Sequence, residues 1–192
     1  GVVLDQTRQN RILSFDPQTG VMRAQAGISL RDILIASLPV GYFLPVSPGT
    51  QFVTLGGAVA ADVHGKNHHA DGSFGRFVHE IVLHTGAGNR ITCSQTLDAD
   101  LFHATQGGMG LTGAIEEVSF QLLKIKSDRI NVSAKRTASL EETLLALEET
   151  AGKHRYSVSW IDGLASGASL GRGWVLAGDH STDSPNEPLS WN

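Results

Sequence analysis

A chain of 192 residues with 41% hydrophobic residues and a formal charge of −4 has the composition of a globular protein that is long enough to bury a core. The mildly acidic balance argues against a nucleic-acid-binding surface, which normally carries a basic stripe, and no apolar run approaches the roughly 20 residues that span a bilayer. The single cysteine, Cys93, excludes an internal disulfide. Its place in a predicted strand favours a half-buried small residue over a reactive thiol.

Both ends of the sequence are typical of a piece cut from a longer protein. The chain begins without Met, directly in strand-like residues, and shows no signal-peptide pattern. It stops shortly after a polar, linker-like stretch. We therefore interpret the sequence as a fragment.

Residues 1–44 predict two short strands and a helix. The strands are expected at residues 11–14 and 21–26, with an Asp-Pro turn sequence between them. A capping-box pattern at residues 29–32 begins an amphipathic helix, which should end before Pro39.

Residues 45–75 hold the densest mixture of small residues, turn residues and histidines in the chain. Backbone without bulky side chains can approach another protein element or a ligand closely. Thr54 predicts the N-cap of a glycine-rich helix over residues 55–62, and two interpretations of this helix stay open. Either it packs tightly on a neighbouring element, or free backbone N–H groups at Thr54-Leu55-Gly56-Gly57 bind a phosphate at the positive end of the helix dipole.

The next segment predicts a hairpin at residues 78–85 and 90–94, followed by a helix over 99–106 that Asp98 should cap. Gly108-Met109-Gly110-Leu111-Thr112-Gly113 matches the pattern G-x-G-x-x-G, but a dinucleotide-binding fingerprint needs a strand before it and a helix after it. Here a helix precedes the pattern and an alternating strand follows. The pattern therefore predicts a tight turn rather than a nicotinamide site, and whether this turn also contacts a ligand stays open.

Beyond residue 127 the pattern changes. Strands are expected at residues 130–135 and 174–177, with another where Tyr156, Val158 and Trp160 alternate. A capping box at Ser139 begins a helix that should bury three leucines. These are Leu140, Leu144 and Leu147.

Strands and helices therefore mix without a regular βαβ rhythm, which predicts an α+β fold rather than a doubly wound parallel sheet. The change in pattern near residues 126–128 predicts a boundary between one domain at residues 1–126 and another at 127–192.

Three histidines, His64, His68 and His69, lie close enough in sequence to raise the possibility of a metal site. The cation of Lys66 between them and the lack of a cysteine or carboxylate at ligand spacing argue against it. We expect no metal, and interpret the histidines as the wall of an active site.

The sequence resembles the flavin-linked oxidases that carry a vanillyl-alcohol-oxidase-type (PCMH-type) FAD-binding domain. The resemblance is strongest to oxidase subunits that act on a decaprenylphosphoryl sugar, and it covers nearly the whole chain. The string His64-Gly65-Lys66-Asn67-His68-His69 is its most specific part. The other matching elements are Pro48-Gly49-Thr50, Thr54-Leu55-Gly56-Gly57-Ala58, Gly72-Ser73-Phe74-Gly75, residues 100–113 and Ser159-Trp160-Ile161-Asp162.

This resemblance favours FAD as the ligand of the glycine-rich helix and implies a set of contact residues. His64 would lie close to the isoalloxazine ring and Lys66 would face the substrate pocket, which makes these two the candidate catalytic residues. The histidine that bonds covalently to the flavin in some relatives belongs to an earlier loop, so the FAD is expected to be non-covalent. The implied cofactor contacts are Gly49, Thr50, Thr54, Leu55, Gly56, Gly57, Ala61, Asp62, Val63, His64, Gly113 and Ile115.

The resemblance also implies the architecture and the activity. The chain would hold the second subdomain of the FAD-binding domain and the beginning of a mixed α/β substrate domain, and this fragment alone would be inactive. The whole enzyme would oxidise a hydroxyl of a sugar or polyprenylphosphoryl sugar by hydride transfer to flavin N5. The resemblance also suggests a reductase subunit as a partner. The alternatives are an aldonolactone or other sugar-alcohol oxidase, and a cofactor-free interaction domain. The compartment stays open between cytoplasm and cell envelope.

Overall fold

A computed structural model describes residues 3–182, and in it the chain divides into two compact units. The first unit comprises the described residues up to Gly65 together with Ser73–Ile125, and the second comprises Lys66–Gly72 and the described residues from Lys126 onward. Both units combine helices with antiparallel sheets, so the predicted α+β organisation is confirmed.

The first unit is built on an antiparallel sheet. Among the described residues its strands are β1 (Ile12–Phe15), β2 (Val21–Gln25), β4 (Val78–His84), β5 (Arg90–Ser94) and β6 (Ala114–Gln121), in the order β1-β2-β6-β4-β5. A small separate pair joins β3 (Tyr42–Phe43) to β7 (Leu123–Lys124). The helices are α1 (Leu30–Ser37), α2 (Leu55–Ala60) and α4 (Ala99–Thr105).

The predicted helix starts at Ser29 and Thr54 are confirmed. The Ser29 hydroxyl accepts a hydrogen bond from the Asp32 N–H, and the Thr54 hydroxyl accepts one from the Gly57 N–H. α1 ends where the chain turns at Pro39, as expected from the missing proline N–H.

The core of the first unit contains large aromatic and aliphatic side chains. Phe120 lies on the buried face of β6, as the alternation predicted, and its ring packs against that of Phe74 at a centroid distance of 5.7 Å. Cys93 is fully buried, deeper than predicted, and burial raises the pKa of its thiol to about 11. The thiol is therefore protonated at neutral pH, in agreement with its interpretation as a packing residue.

The second unit has a smaller sheet. Its described strands are β8 (Ile130–Thr137), β9 (Tyr156–Ile161) and β10 (Gly173–His180), in the antiparallel order β8-β10-β9. Its helices are the single turn α3 (His68–Asp71) and α5 (Leu140–Ala151). None of the helices in the described part of the chain has the length and apolar character that crossing a membrane requires.

Two predictions about helices are wrong. Asp98 adopts a left-handed conformation with φ of 47°, and its side chain makes no capping hydrogen bond to α4. α5 begins at Ser139 as predicted, but Leu140 and Leu144 are 41% and 52% exposed. The helix instead buries Thr143 and Ala146, because the Thr143 hydroxyl lies 2.6 Å from that of Thr137 and donates to the carbonyl of Gly171.

Candidate functional site

The first unit contains an open cleft with a volume of about 800 Å³. Most of its wall consists of glycine, alanine and other small residues, so a ligand would meet backbone at close range. This volume lies within the range of about 300–1,000 Å³ that is usual for small-molecule and cofactor sites. The lining residues are Val3, Leu4, Asp5, Gln6, Thr7, Ala26, Gly27, Thr54, Gly56, Gly57, Ala60, His84, Thr85, Gly86, Gly110, Gly113, Ala114 and Ile115.

Helix α2 contributes its glycines to this wall by packing closely on residues 26–28, which follow β2. A Cβ built on Gly56 would come within 2.8 Å of the Cβ of Ala26, which no side chain tolerates. The N–H groups of Leu55 and Gly56 donate to the carbonyls of Ile28 and Ala26, and that of Gly57 donates to Thr54 Oγ1. The N–H groups of residues 55–57 are therefore not free, and of the two interpretations these contacts favour close packing on a neighbouring element.

The glycine-rich turn at residues 107–113 forms a second part of the wall. It follows α4 and precedes β6, as predicted, and this order differs from that of a dinucleotide-binding fingerprint. The N–H groups of Gly107 and Met109 donate to the carbonyls of Val59 and Ala60, which fixes the turn on the end of α2. Gly113 has φ of 149°, and a Cβ there would lie 2.3 Å from the His84 carbonyl oxygen, so only glycine fits.

Polar side chains at the C-terminal end of β4 also contribute to the wall. The Thr85 Oγ1 atom is buried and has no hydrogen-bond partner among the described residues. His84 Nε2 donates to Glu116 at 3.0 Å, and Arg90 Nε binds the same carboxylate oxygen at 2.7 Å. The hydrogen bond from Arg90 is the main reason that the pKa of Glu116 is lowered, so this carboxylate is ionised at neutral pH.

Of the predicted cofactor residues, the structure brings five together in the cleft wall. They are Thr54, Gly56, Gly57, Gly113 and Ile115. The others do not line it: Gly49 and Thr50 are exposed in the preceding loop, Leu55 is fully buried, and Ala61–His64 follow the end of α2.

Asp62 lies after α2 with φ of 41°, and its carboxylate binds two groups of the chain itself. Oδ2 accepts from the Ser73 hydroxyl at 2.6 Å and Oδ1 from the Gly75 N–H at 2.7 Å. The side chain thus joins the end of α2 to the Gly72-Ser73-Phe74-Gly75 element.

The two candidate catalytic residues belong to different units. His64 falls in the first unit, whereas Lys66 falls in the second with His68 and His69. Both His64 and Lys66 have exposed side chains. Across residues 3–182 no group of three or more histidine, cysteine or acidic side chains is placed to hold a metal ion.

Sequence reasoning missed the part of the wall formed by Ala26, Gly27 and residues 84–86. Gly27 could have been recognised from the sequence, since a glycine next to a strand often marks the close approach of another backbone. A Cβ at Gly27 would lie 2.0 Å from the carbonyl oxygen of Gln6.

Comparison with known proteins identifies relatives of this chain. Residues 1–94 match the family model described as an FAD binding domain. The chain is 38% identical over 180 residues to decaprenylphosphoryl-beta-D-ribose oxidase of Mycolicibacterium smegmatis, which covers 93% of this chain and 39% of the relative. It is also 38% identical over 154 residues to an uncharacterized protein in the mprA 5′ region of Streptomyces coelicolor, with 80% of this chain and 41% of the relative covered.

A more distant match is the L-gulonolactone oxidase of Scyliorhinus torazame, 31% identical over 114 residues, 58% of this chain and 25% of the relative. The chain thus spans 39% and 41% of the lengths of the two more similar relatives. The expected resemblance is confirmed, and FAD is the cofactor of the matched domain.

The residues of the cleft fit such a cofactor. The small side chains of α2 and of the turn at 107–113 leave room for a flat or extended ligand. The buried Thr85 hydroxyl is a hydrogen-bonding group that a bound polar ligand could satisfy.

Proposed function

Because the chain carries an FAD binding domain over residues 1–94, we propose that the whole protein is a flavin-linked oxidoreductase. Its substrate in this proposal is a hydroxyl group of a sugar or of a polyprenylphosphoryl sugar. The observation that carries the proposal is the small-residue cleft of the first unit, which has a volume of about 800 Å³. The name of the first relative, a decaprenylphosphoryl-ribose oxidase, supports the substrate class.

In this proposal the cleft holds FAD non-covalently. Gly57, Ala60 and Gly113 give the ligand close access to the backbone, and Thr85 offers a hydrogen bond. Residues 1–126 would be the C-terminal part of a PCMH-type FAD-binding domain, its second subdomain, and residues 127–192 the beginning of the substrate domain.

When bound, FAD would supply the redox chemistry as the two-electron acceptor for the carbon that bears the reacting hydroxyl, and the hydroxyl proton would pass to a base. The residues of this chain would bind the cofactor and the substrate and orient them. His64, two residues after Asp62, would line the reacting face, since the Asp62 carboxylate fixes the backbone there through Ser73 and Gly75. Lys66 would contact the substrate, because its side chain is exposed.

A second candidate is oxidation of an aldonolactone. The observation in its favour is the similarity to L-gulonolactone oxidase, which extends over 58% of this chain. A sugar lactone lacks the phosphate and the lipid of a polyprenylphosphoryl sugar, so a direct comparison of the two substrates separates the candidates.

The test begins with the full-length gene product. We expect it to purify with a flavin absorbance spectrum, and denaturation should release the flavin because it is not covalently attached. Anaerobic addition of a short-chain polyprenylphosphoryl pentose should bleach that spectrum, while L-gulono-1,4-lactone should not. Bleaching by the lactone alone would favour the second candidate, and a protein that neither contains nor binds FAD would support an interaction domain instead.

The role of His64 has its own test. In the full-length protein, His64→Ala should retain FAD and lose flavin reduction at least tenfold. Reduction at the unaltered rate would exclude His64 from the reacting face.

A further inference from the structure

The string that carries the candidate catalytic lysine is held by the second unit, although the residues on both sides of it belong to the first. Lys66–Gly72 groups by its contacts with the residues after Lys126, while Gly65 and Ser73 group with the first unit. We refer to Lys66–Gly72 as the lysine segment. The position of Lys66 therefore depends on the contacts that this segment makes with the rest of the second unit.

The contacts that fix the lysine segment include three to residues 154–157, at the start of β9. The carbonyl of Lys66 accepts from the Ser157 N–H at 2.8 Å. The ring nitrogen Nε2 of His69 donates to the carbonyl of His154 at 2.9 Å. The third contact is an ion pair between Asp71 and Arg155.

This ion pair is bidentate and largely shielded from water on the acidic side. Arg155 Nε lies 2.8 Å from Asp71 Oδ2 and its Nη2 lies 2.9 Å from Oδ1. The Asp71 side chain is only 13% exposed. The amide of the fully buried Asn67 donates to the same Oδ2 at 2.7 Å. A fork-to-carboxylate pair fixes direction as well as distance.

Arg155 is itself held in place. Its backbone N–H donates to Asp179 Oδ1 at 2.8 Å, and the other oxygen of Asp179 accepts from His154 Nδ1. The hydrogen bond with Asp71 is the main cause of the raised pKa of Arg155. The guanidinium thus remains charged and oriented towards the lysine segment over the whole working pH range.

Apolar packing contributes little to this arrangement. α3, which makes up most of the lysine segment, has no buried residue. At its base, Gly65 lies so close to Ser47 that a Cβ would come within 1.9 Å of the Ser47 carbonyl oxygen. Because α3 has no buried residue, we infer that polar contacts, among them those to residues 154–157, hold the orientation of the segment.

We propose that Arg155, through Asp71, is the positioning residue for Lys66, so that an ion pair within the second unit orients this ammonium group. The inference rests on the proposed function, in which Lys66 contacts the substrate. A lysine ammonium is a point charge on a flexible stem, so its contribution to binding depends on how well its backbone is held. Arg155 touches neither substrate nor cofactor in this scheme.

The first experiment measures the lysine segment directly in the present chain. Arg155→Ala should raise amide hydrogen exchange at residues 66–72 at least tenfold, and Arg155→Lys, which keeps the charge but loses the fork, should give an intermediate increase. The matched control is Arg172→Ala, which removes another Arg–Asp pair of the same unit, that with Asp162. Unchanged exchange at 66–72 in Arg155→Ala would overturn the inference.

The second experiment separates positioning from stability in the full-length flavoprotein, with a short-chain polyprenylphosphoryl pentose as the probe. Arg155→Ala and Lys66→Ala should each raise KM at least tenfold with a smaller change in kcat and an unaltered flavin spectrum. Since both act through one ammonium group, the double variant should be no worse than Lys66→Ala alone. The exchanged pair Asp71→Arg with Arg155→Asp should recover part of the loss.

The outcomes distinguish this inference from the proposed function. Additive effects in the double variant would show that Arg155 acts independently of Lys66 and would overturn the positioning role. An unchanged KM in both single variants, in a protein whose flavin the probe still reduces, would overturn it as well and leave the proposed function intact. Failure of the probe to reduce the flavin of the unaltered protein would refute the proposed function, and the exchange experiment would then decide whether Arg155 positions the segment.

Discussion

The two units of this chain bury different kinds of side chain. The first has a continuous core that includes Phe74, Phe102 and Phe120. The cleft lies in this same unit. In the second, the buried side chains include small and polar groups such as Ala146, Thr137 and Thr143, while larger apolar side chains lie on the surface. Those exposed residues include Leu140, Leu144, Leu145, Trp160, Leu164, Leu170 and Trp174.

This difference indicates how each unit is stabilised. Burying apolar area is the larger source of stability in the first unit, and this contribution is not directional. The second unit depends more on directed polar contacts, among them the Thr137–Thr143 pair and the bonds around Arg155. The first should therefore respond to lost volume and the second to lost polar partners and to pH.

The largest expected effect comes from deleting an aromatic ring in the first unit. Phe120 is fully buried against Phe74, so Phe120→Ala should lower the free energy of unfolding of that unit by about 3–5 kcal/mol. Hydrogen exchange during urea titration would follow each unit separately. The matched change in the second unit is Trp174→Ala, where the ring is 49% exposed and we expect a loss below about 1 kcal/mol. Equal losses would contradict the contrast between the two units.

Local sequence patterns predicted most of the first unit because its elements follow strong short-range rules. The caps at Ser29 and Thr54 and the alternation of β6 each involve residues at most a few positions apart. The same reasoning failed in α5, where the apolar spacing of Leu140 and Leu144 suggested the wrong buried face. The hydroxyl contacts of Thr143 with Thr137 and Gly171 decide that face, and they join residues distant in sequence.

The candidate site shows the same limit more strongly. The glycines of α2 were recognisable, but the carbonyls that accept from the N–H groups of Leu55 and Gly56 are those of Ile28 and Ala26. A local pattern does not show which distant carbonyl a donor will find. For the same reason, the histidine string could not predict that His64 and Lys66 belong to different units.

A smaller effect is expected where a polar contact stabilises the first unit. Asp62→Ala would leave the Ser73 hydroxyl and the Gly75 N–H without their acceptor, and Gly75 is buried. We expect a loss of about 1–3 kcal/mol, measured by urea denaturation. Asp62→Asn should lose less, since an amide oxygen still accepts one of the two bonds. Losses of the same size in both variants would mean that the carboxylate charge, rather than the acceptor geometry, matters.

Thr85 tests the cleft and separates binding from stability. Because its buried Oγ1 has no partner among the described residues, Thr85→Val should leave the stability of the cofactor-free chain unchanged or slightly higher. It should weaken FAD binding by roughly fivefold to tenfold, which corresponds to one lost hydrogen bond of about 1 kcal/mol. Quenching of flavin fluorescence measures the affinity, and Thr85→Ser, which keeps the hydroxyl, is the control. Unaltered affinity in Thr85→Val would remove this hydroxyl from the cofactor site.

The smallest effect is a pH dependence confined to the second unit. His180 Nδ1 donates to the Ser127 carbonyl and Nε2 lies 3.1 Å from the Tyr156 hydroxyl, an arrangement that suits a neutral ring. Burial lowers the pKa of His180 below its ordinary value of 6.5, and the positive charge of Arg155 acts in the same direction. The unfolded chain therefore binds a proton at a pH where the folded chain does not, and stability falls as the pH drops below 6.5.

Glu116 of the first unit also has a lowered pKa, but its titration begins only below its ordinary value of 4.5. Between pH 7 and 5 the loss should thus appear in hydrogen exchange of β8–β10 and not in the sheet around β6. His180→Gln, which retains a donor and an acceptor without titrating, should abolish it. A loss that persists in His180→Gln, or that is equal in both units, would assign the pH dependence to other groups and remove this distinction between the two halves of the chain.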